Sequence, residues 1–134
     1  MQAGILIVDD EIDVAEEIAD GLRADGYAVA TAGDGAQALQ MIEAAPGRFT
    51  VLITDIRMPG MDGITLARRL RALPDASACP EIIFVTGHAV PSEIASAFTP
   101  PPIEVARKPF RWAELVGLVS RALERHGARA GSAA

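Results

Sequence analysis

Five short apolar runs, separated by helix-length segments, constrain the fold more than any other feature of this sequence. Each run is continuous and most are rich in β-branched residues, which is typical of strands buried on both faces of a parallel sheet. The predicted strands are Gly4–Val8, Tyr27–Ala30, Thr50–Thr54, Ile82–Val85 and Ile103–Ala106. Several of these runs end abruptly at polar residues, so the strand ends are where chemistry is expected.

The segments between these runs carry apolar residues at helical spacing. We predict helices over Ile12–Ala24, from Asp34 through Ile42, over Gly63–Ala72, from about Pro91, and over Arg111–Arg125. Strands that alternate with helices predict an open, doubly wound α/β domain, which we assign to residues 1–126. Residues 127–134 are small and polar without periodicity, and we expect them to form a disordered tail.

Composition excludes several classes of protein. The net charge is −6, whereas a domain that holds nucleic-acid phosphates needs a basic surface, so we expect no nucleic-acid partner. Cys79 is the only cysteine, which fits a reducing compartment. No apolar stretch has the length of a membrane span, and none has the basic flank of a signal peptide. We therefore expect a cytoplasmic protein that contacts no membrane.

Polar side chains follow the ends of the predicted strands. Asp9 and Asp10 follow the first run, Asp55 the third, Thr86 the fourth and Lys108 the fifth. In a parallel sheet these side chains gather at one edge. Clustered carboxylates raise one another's pKa, which a hard divalent cation such as Mg²⁺ relieves. Lys108 is the only lysine among twelve basic residues and adds a compact positive charge.

This set of residues is suited to phosphoryl transfer, because a metal, Lys108 and Thr86 together neutralise charge on phosphoryl oxygens. One carboxylate then acts as the nucleophile and becomes an acyl phosphate. We predict Asp55 for this role, since it stands alone after a central-looking strand and precedes a loop rich in Pro and Gly. Asp9 and Asp10 straddle a strand end, from which they reach a metal directly or through water.

Each of these residues also has a plain structural explanation. The aspartates suit helix capping or turn formation, Thr86 suits a hydrogen bond to the backbone at a strand end, and Lys108 suits a solvated surface. We expect Phe110 and Trp112 to pack the last helix. The convergence of all five polar groups is what favours the functional interpretation.

Taken in order along the chain, these residues resemble the receiver domain of two-component response regulators, the CheY-like family. The resemblance extends over about residues 4–125. It rests on Asp9-Asp10, Asp55 with Met58-Pro59-Gly60-Met61-Asp62-Gly63, Thr86-Gly87, and Lys108-Pro109-Phe110. No single motif is decisive, but the ordered set is specific.

The resemblance implies a flavodoxin-like fold with strand order 2-1-3-4-5 and five helices. It implies that a histidine kinase or histidine phosphotransfer protein phosphorylates Asp55, and that the chain catalyses only its own phosphorylation and dephosphorylation. Thr86 would bond the phosphoryl group in the activated state. Lys108 would contact the phosphoryl oxygens, with a cis peptide before Pro109. Helix four, strand five and helix five would form the surface that switches.

The resemblance also implies a Mg²⁺ site. The ligands would be Asp10 and Asp55 directly, Asp9 through water, and the backbone carbonyl of Arg57. His88 and Arg57 would flank the phosphoryl group and tune water access, although we favour an exposed loop histidine as the explanation of His88.

Two features depart from the family pattern. Val105 stands where receivers usually carry Tyr or Phe, so the usual ring rotation has no counterpart here. Pro100-Pro101-Pro102 replaces the turn often seen before the fifth strand, and prolines cannot continue a helix. We therefore hypothesise that the protein signals by ordering or shifting a short fourth helix, which changes amide exchange in residues 90–102.

Four functions compete on this reading. We expect a stand-alone receiver, a monomer or weak dimer, that signals to an unknown downstream protein or carries phosphate in a relay. The alternative is the receiver of a DNA-binding regulator whose effector domain is absent from this chain. A phosphatase of the haloacid dehalogenase type fits poorly, because Asp9-Asp10 lacks the residue between the two aspartates. A receiver-like fold without phosphorylation is disfavoured by the complete acceptor set.

Overall fold

The sheet is the organising element of the molecule. The computed structural model describes residues 4–75, 78–87 and 103–132, with side chains described as far as residue 127. The strands are β1 (Gly4–Val8), β2 (Ala28–Ala32), β3 (Val51–Asp55), β4 (Glu81–Thr86) and β5 (Glu104–Arg107). They are all parallel, in the order β2-β1-β3-β4-β5. The predicted fold class and strand order are confirmed.

Four helices are present among the described residues. They are α1 (Ile12–Ala24), α2 (Gly35–Ala44), α3 (Gly63–Arg71) and α4 (Trp112–Ser132). The predicted helix near Pro91 and the three prolines at 100–102 lie outside the described residues. In the part of the chain that the structure describes, no helix has both the length and the apolar content needed to cross a membrane.

The ends of β2 and α4 differ from the sequence-based expectation by two residues or more, whereas the ends of β3, β4, β5 and α3 differ by one. β2 runs over Ala28–Ala32 rather than Tyr27–Ala30, because its pairing with β1 continues until Ala32 lies opposite Val8. α4 continues to Ser132, whereas we expected its end at Arg125 and a disordered tail beyond. Apolar periodicity stops near Arg125, but Ala and Arg are good helix formers that need no buried face. The domain boundary at residue 126 stays a prediction.

Local signals fix the helix ends. Gly26 has a φ of +97°, which only glycine adopts without strain, and it lies just beyond the end of α1. The Asp34 carboxylate accepts a hydrogen bond from the Gln37 amide at 2.7 Å, so the predicted cap of α2 is confirmed. The Asp62 carboxylate caps α3 in the same way, accepting from the Thr65 amide at 2.7 Å.

The apolar core lies on both faces of the sheet. Successive strand residues point to opposite faces, so Leu6 and Val8 pack with α2 and α3, while Ile5 and Ile7 pack with α1 and α4. Continuous apolar strands are therefore buried throughout, as a doubly wound sheet requires. The two layers of helices leave the carboxyl edge of the sheet open.

An ion-pair network joins the opposite, amino-terminal edge of the sheet to α4. Glu104 of β5 lies 3.0 Å from Arg121 and 3.0 Å from Arg125, which also lies 3.4 Å from the buried Glu81 of β4. The hydrogen bond from Arg121 is the main reason why the pKa of Glu104 is lowered; the charge of Arg125 also contributes. The network connects the last two strands to the helix that covers them.

Candidate functional site

Three aspartates converge at the carboxyl edge of the sheet. β1 and β3 are neighbours with Val8 opposite Thr54, so Asp9 and Asp55, the next residues, also lie side by side. Carboxylate oxygens of Asp9, Asp10 and Asp55 lie within 4.8 Å of one another. Asp9 is buried, Asp55 is half-buried and Asp10 is exposed, so the cluster opens to solvent on one side.

Lys108 reaches this cluster from the loop after β5. Its Nζ lies 3.4 Å from Oδ2 of Asp55 and 3.5 Å from Oδ2 of Asp9. Its amide donates a hydrogen bond to the Thr86 carbonyl at 2.8 Å, which continues the pairing of β5 with β4. The Lys108-Pro109 peptide is cis, as the family resemblance implied. The ammonium is therefore placed between two of the three carboxylates.

The pKa of Asp9 is raised above its ordinary value. Burial raises its pKa, and the nearby charges of Asp55 and Asp10 raise it further. A hydrogen bond from the Glu11 amide to Oδ1, at 2.9 Å, and the charge of Lys108 act in the opposite direction but do not cancel the rise. A carboxylate that is costly to ionise in place is one that a bound cation would stabilise.

The loop that follows Asp55 turns back closely over the strand end. The Arg57 amide donates to Oδ1 of Asp55 at 3.3 Å, and the Gly63 amide donates to the Ile56 carbonyl at 2.9 Å. A β-carbon at Gly63 would lie 2.3 Å from the Asp55 carbonyl oxygen, so only glycine fits there. Gly60 has a φ of +76° and completes the turn. This loop holds the Asp55 backbone in place while its carboxylate faces the cluster.

Thr86 is the last residue of β4 and is buried at the same edge of the sheet, one position beyond the residue paired with Asp55. Val105 is half-buried on β5 and packs against the core beside Phe84, its partner across the strands. The Arg57 side chain is exposed, while its amide bonds to Asp55. The structure thus brings together the predicted site residues, whose individual roles stay predictions.

The donor set fits a magnesium ion. All three clustered side chains offer hard carboxylate oxygens, and two of them are fixed by neighbouring strands. Mg²⁺ prefers one or two carboxylates and keeps several waters or phosphate oxygens, which the exposed side of the cluster allows. Burial is the main reason why the pKa of Asp9 is raised, and the positive charge of such an ion would favour its ionised form.

Two further residues that the sequence analysis singled out are His88 and Trp112. His88 lies outside the described residues. Trp112, which we expected to pack the last helix, has its ring over Gly21 of α1 instead. The sequence signal was present but not used: a glycine in the interior of a helix is unfavourable and calls for a packing reason.

Comparison with known proteins identifies a family that matches most of this chain. The sequence profile of the response regulator receiver domain matches residues 5–120. The response regulator receiver protein CpdR of Brucella abortus is 35% identical over 120 residues, which cover 89% of this chain and 95% of CpdR. The transcriptional regulatory protein PrrA of Mycobacterium tuberculosis is 36% identical over 128 residues, which cover 96% of this chain.

The match covers 53% of PrrA, so the chain spans about half the length of this relative. Among solved structures, a response regulator receiver domain protein from Clostridium thermocellum superimposes with a TM-score of 0.82 at 27% identity. The superposition covers 94% of this chain and 98% of that protein.

Proposed function

The chain belongs to the response regulator receiver domain family, and from this premise we propose that Asp55 is its phosphoryl acceptor. Receiver domains of this kind are phosphorylated in two-component signal transduction and interact with histidine kinases or phosphotransfer proteins. The observation that carries the assignment is the position of the Asp55 carboxylate, which lies among two further carboxylates and the only lysine of the chain.

The proposed reaction transfers a phosphoryl group from a phosphohistidine of the donor protein. A carboxylate oxygen of Asp55 bonds to phosphorus while the phosphorus–nitrogen bond breaks, and the electron pair leaves with the imidazole. Lys108, whose Nζ now lies 3.4 Å from Asp55 Oδ2, would then pair with the phosphoryl oxygens. The half-buried Asp55 remains open to the donor because Asp10 beside it is exposed.

The residues that would hold magnesium are Asp10 and Asp55 directly, Asp9 through water, and the backbone carbonyl of Arg57. When bound, the ion supplies positive charge to the phosphoryl oxygens during transfer. The amide of Arg57 donates to Asp55 Oδ1, so the backbone at this position lies beside the carboxylate. Asp9 is held by the Glu11 amide, which orients it toward the cluster.

Thr86 is proposed to report the phosphorylated state, because its hydroxyl is carried at the same sheet edge as Asp55. The surface that switches would comprise β5, the amino-terminal part of α4 and the segment before β5. That segment, residues 90–102, lies outside the described residues, and the hypothesis of a shifting short helix there stays a prediction. Amide exchange measured across it with and without phosphorylation tests the idea.

The remaining features of the proposal follow the family. The domain catalyses only its own phosphorylation and dephosphorylation, in the cytoplasm, as a monomer or weak dimer, and passes its state to a downstream protein. The charge of −6 argues against direct contact of this domain with nucleic acid. PrrA is named a transcriptional regulatory protein, but the match covers only about half of PrrA, so we do not transfer that activity to this chain.

The direct test is the intact mass of the protein after incubation with Mg²⁺ and acetyl phosphate. We expect the wild type to gain one phosphoryl group and Asp55→Asn to gain none. Asp25→Asn, an exposed aspartate at the end of α1, is the matched control and should be labelled like the wild type. Labelling of Asp55→Asn to the same extent, or of no variant at all, contradicts the proposal.

A further inference from the structure

The ring of Trp112 rests on the backbone of α1 at Gly21. A β-carbon at Gly21 would lie 2.6 Å from both Cη2 and Cζ2 of the indole, a distance that real β-carbons do not tolerate. The contact therefore depends on glycine at this position. Glycine in a helix interior is less stable than alanine, so this position of α1 gives up helix stability where the indole ring lies against it.

This contact lies at one end of the segment that carries Lys108. The other end of the segment is fixed to the sheet, since the Lys108 amide donates to the Thr86 carbonyl at 2.8 Å. This segment lines one side of a groove of about 550 Å³, through Lys108, Pro109, Phe110 and Trp112. The other side is formed by α1 and includes Gly21. The Lys108 side chain extends from this groove to the aspartate cluster, where its Nζ lies 3.4 Å from Asp55 Oδ2.

Trp112 is not one of the buried core residues. The residues of α4 that cover the sheet are Leu115, Leu118, Val119 and Ala122, all of them buried. Trp112 is 39% exposed and is one of the two large exposed apolar side chains of the described residues. Trp112 is partly exposed, yet its ring fits closely against a glycine of another helix. Its contact with α1 therefore explains its position better than the apolar area that it buries.

We infer that Trp112, seated on Gly21, is a positioning residue for the phosphorylation of Asp55: it fixes the 108–112 segment so that the Lys108 ammonium stays beside the acceptor. The inference rests on the proposed function of Asp55 and Lys108. It assigns no contact with the phosphoryl group to Trp112, which acts through the placement of Lys108. Misplacement of a positioned group by about 1 Å is enough to lower a rate up to about 100-fold.

The test is the rate of phosphorylation by acetyl phosphate at saturating Mg²⁺ in Gly21→Ala. The added methyl group displaces the indole ring, and we expect the rate to fall about tenfold. The affinity for Mg²⁺, measured separately by titration, should stay at the wild-type value because no aspartate is touched. Gly117→Ala in α4 is the matched control, since its β-carbon would meet nothing closer than Arg121 Nη1 at 3.8 Å.

A double-mutant cycle decides whether the effect passes through Lys108. In a Lys108→Ala background, Gly21→Ala should cause no further loss of rate, because the group that it misplaces has been removed. Trp112→Leu is a second variant that removes the ring without adding bulk to α1, and it should show the same slow phosphorylation and the same dependence on Lys108.

Trp112 is also the only tryptophan of the chain, so its fluorescence reports the contact directly. We expect Gly21→Ala to shift its emission in the unphosphorylated protein, whereas Gly117→Ala should not. Equal phosphorylation rates for Gly21→Ala, Trp112→Leu and wild type overturn the inference. It is also overturned if Gly21→Ala lowers the rate in the Lys108→Ala background by the same factor as in the wild-type background. If the wild type is not phosphorylated at all, the proposed function is refuted instead. The intact masses of the wild type and of Asp55→Asn distinguish that failure from a failure of the present inference.

Discussion

At the scale of single residues, Asp9 is a buried carboxylate whose ionisation lowers the stability of the fold. The residue is only 4% exposed and its carboxylate lies beside those of Asp10 and Asp55, so folding makes its ionisation unfavourable. The raised pKa has a definite sign: the folded state holds a proton more tightly than the unfolded chain, so stability falls as pH rises through the titration of Asp9. Lys108 and the Glu11 amide reduce this cost without removing it.

We therefore predict that Asp9→Asn stabilises the protein in the absence of divalent ions. The asparagine oxygen can still accept from the Glu11 amide, while the unfavourable charge is gone, and we expect a higher free energy of unfolding at neutral pH. The measurement is urea unfolding in EDTA and in Mg²⁺.

Wild type should gain stability from Mg²⁺ by mass action, and Asp9→Asn should gain less. Asp25→Asn, away from the cluster, should behave like the wild type in both conditions. A variant at position 9 that is less stable than wild type in EDTA contradicts the interpretation of Asp9 as a strained carboxylate.

At the scale of elements, the network of Glu81, Glu104, Arg121 and Arg125 connects the start of β4 and β5 to α4. Glu104 has a lowered pKa, chiefly through its hydrogen bond with Arg121. The stabilisation is present above the ordinary pKa of 4.5 and is lost as pH falls through the lowered pKa of the folded state. The network therefore contributes to the acid sensitivity of the contact between the sheet edge and α4.

We predict that Arg121→Gln moves the pKa of Glu104 back toward 4.5, measured by following its carboxyl resonance in an NMR titration. The variant should also lose less stability than wild type on acidification, because it has less paired charge to lose. Arg23→Gln removes an exposed ion pair with Glu16 and Asp20 on α1 and serves as the control. An unchanged Glu104 titration in Arg121→Gln would show that Arg125 alone sets this pKa.

At the scale of the whole molecule, the decisive property is a sheet covered on both faces. β1 lies between β2 and β3, and its residues alternate between the core packed by α2 and α3 and the core packed by α1 and α4. A sheet with one solvated face would tolerate changes at every second position. Here neither face of the strand is free.

We predict that Leu6→Ala and Ile7→Ala each destabilise the protein by about 3 kcal/mol, although the two side chains point in opposite directions. Both residues are fully or almost fully buried. Val29→Ala, on the edge strand β2 and only partly buried, should cost about 1 kcal/mol. Urea unfolding of the three variants measures the differences, and a near-neutral Leu6→Ala or Ile7→Ala would contradict the two-sided core.

The sequence by itself determined the elements and the kinds of residue at the strand ends. Apolar runs, helical spacing and capping residues are local, so they predicted the helix over Ile12–Ala24 at its observed bounds and the five strands to within two residues. Asp9, Asp10, Asp55, Thr86 and Lys108 stood out for the same reason, as polar residues that end buried runs. The order of the strands came from the family resemblance rather than from any pattern of spacing.

Only the tertiary structure decided how far apart these residues lie and which helices touch. The approach of Asp9 to Asp55 depends on the register of β1 against β3, and the position of Lys108 depends on β5 pairing with β4. The seat of Trp112 on Gly21 joins helices that are distant in sequence. Such contacts depend on the packing of several elements at once, and no local periodicity records them.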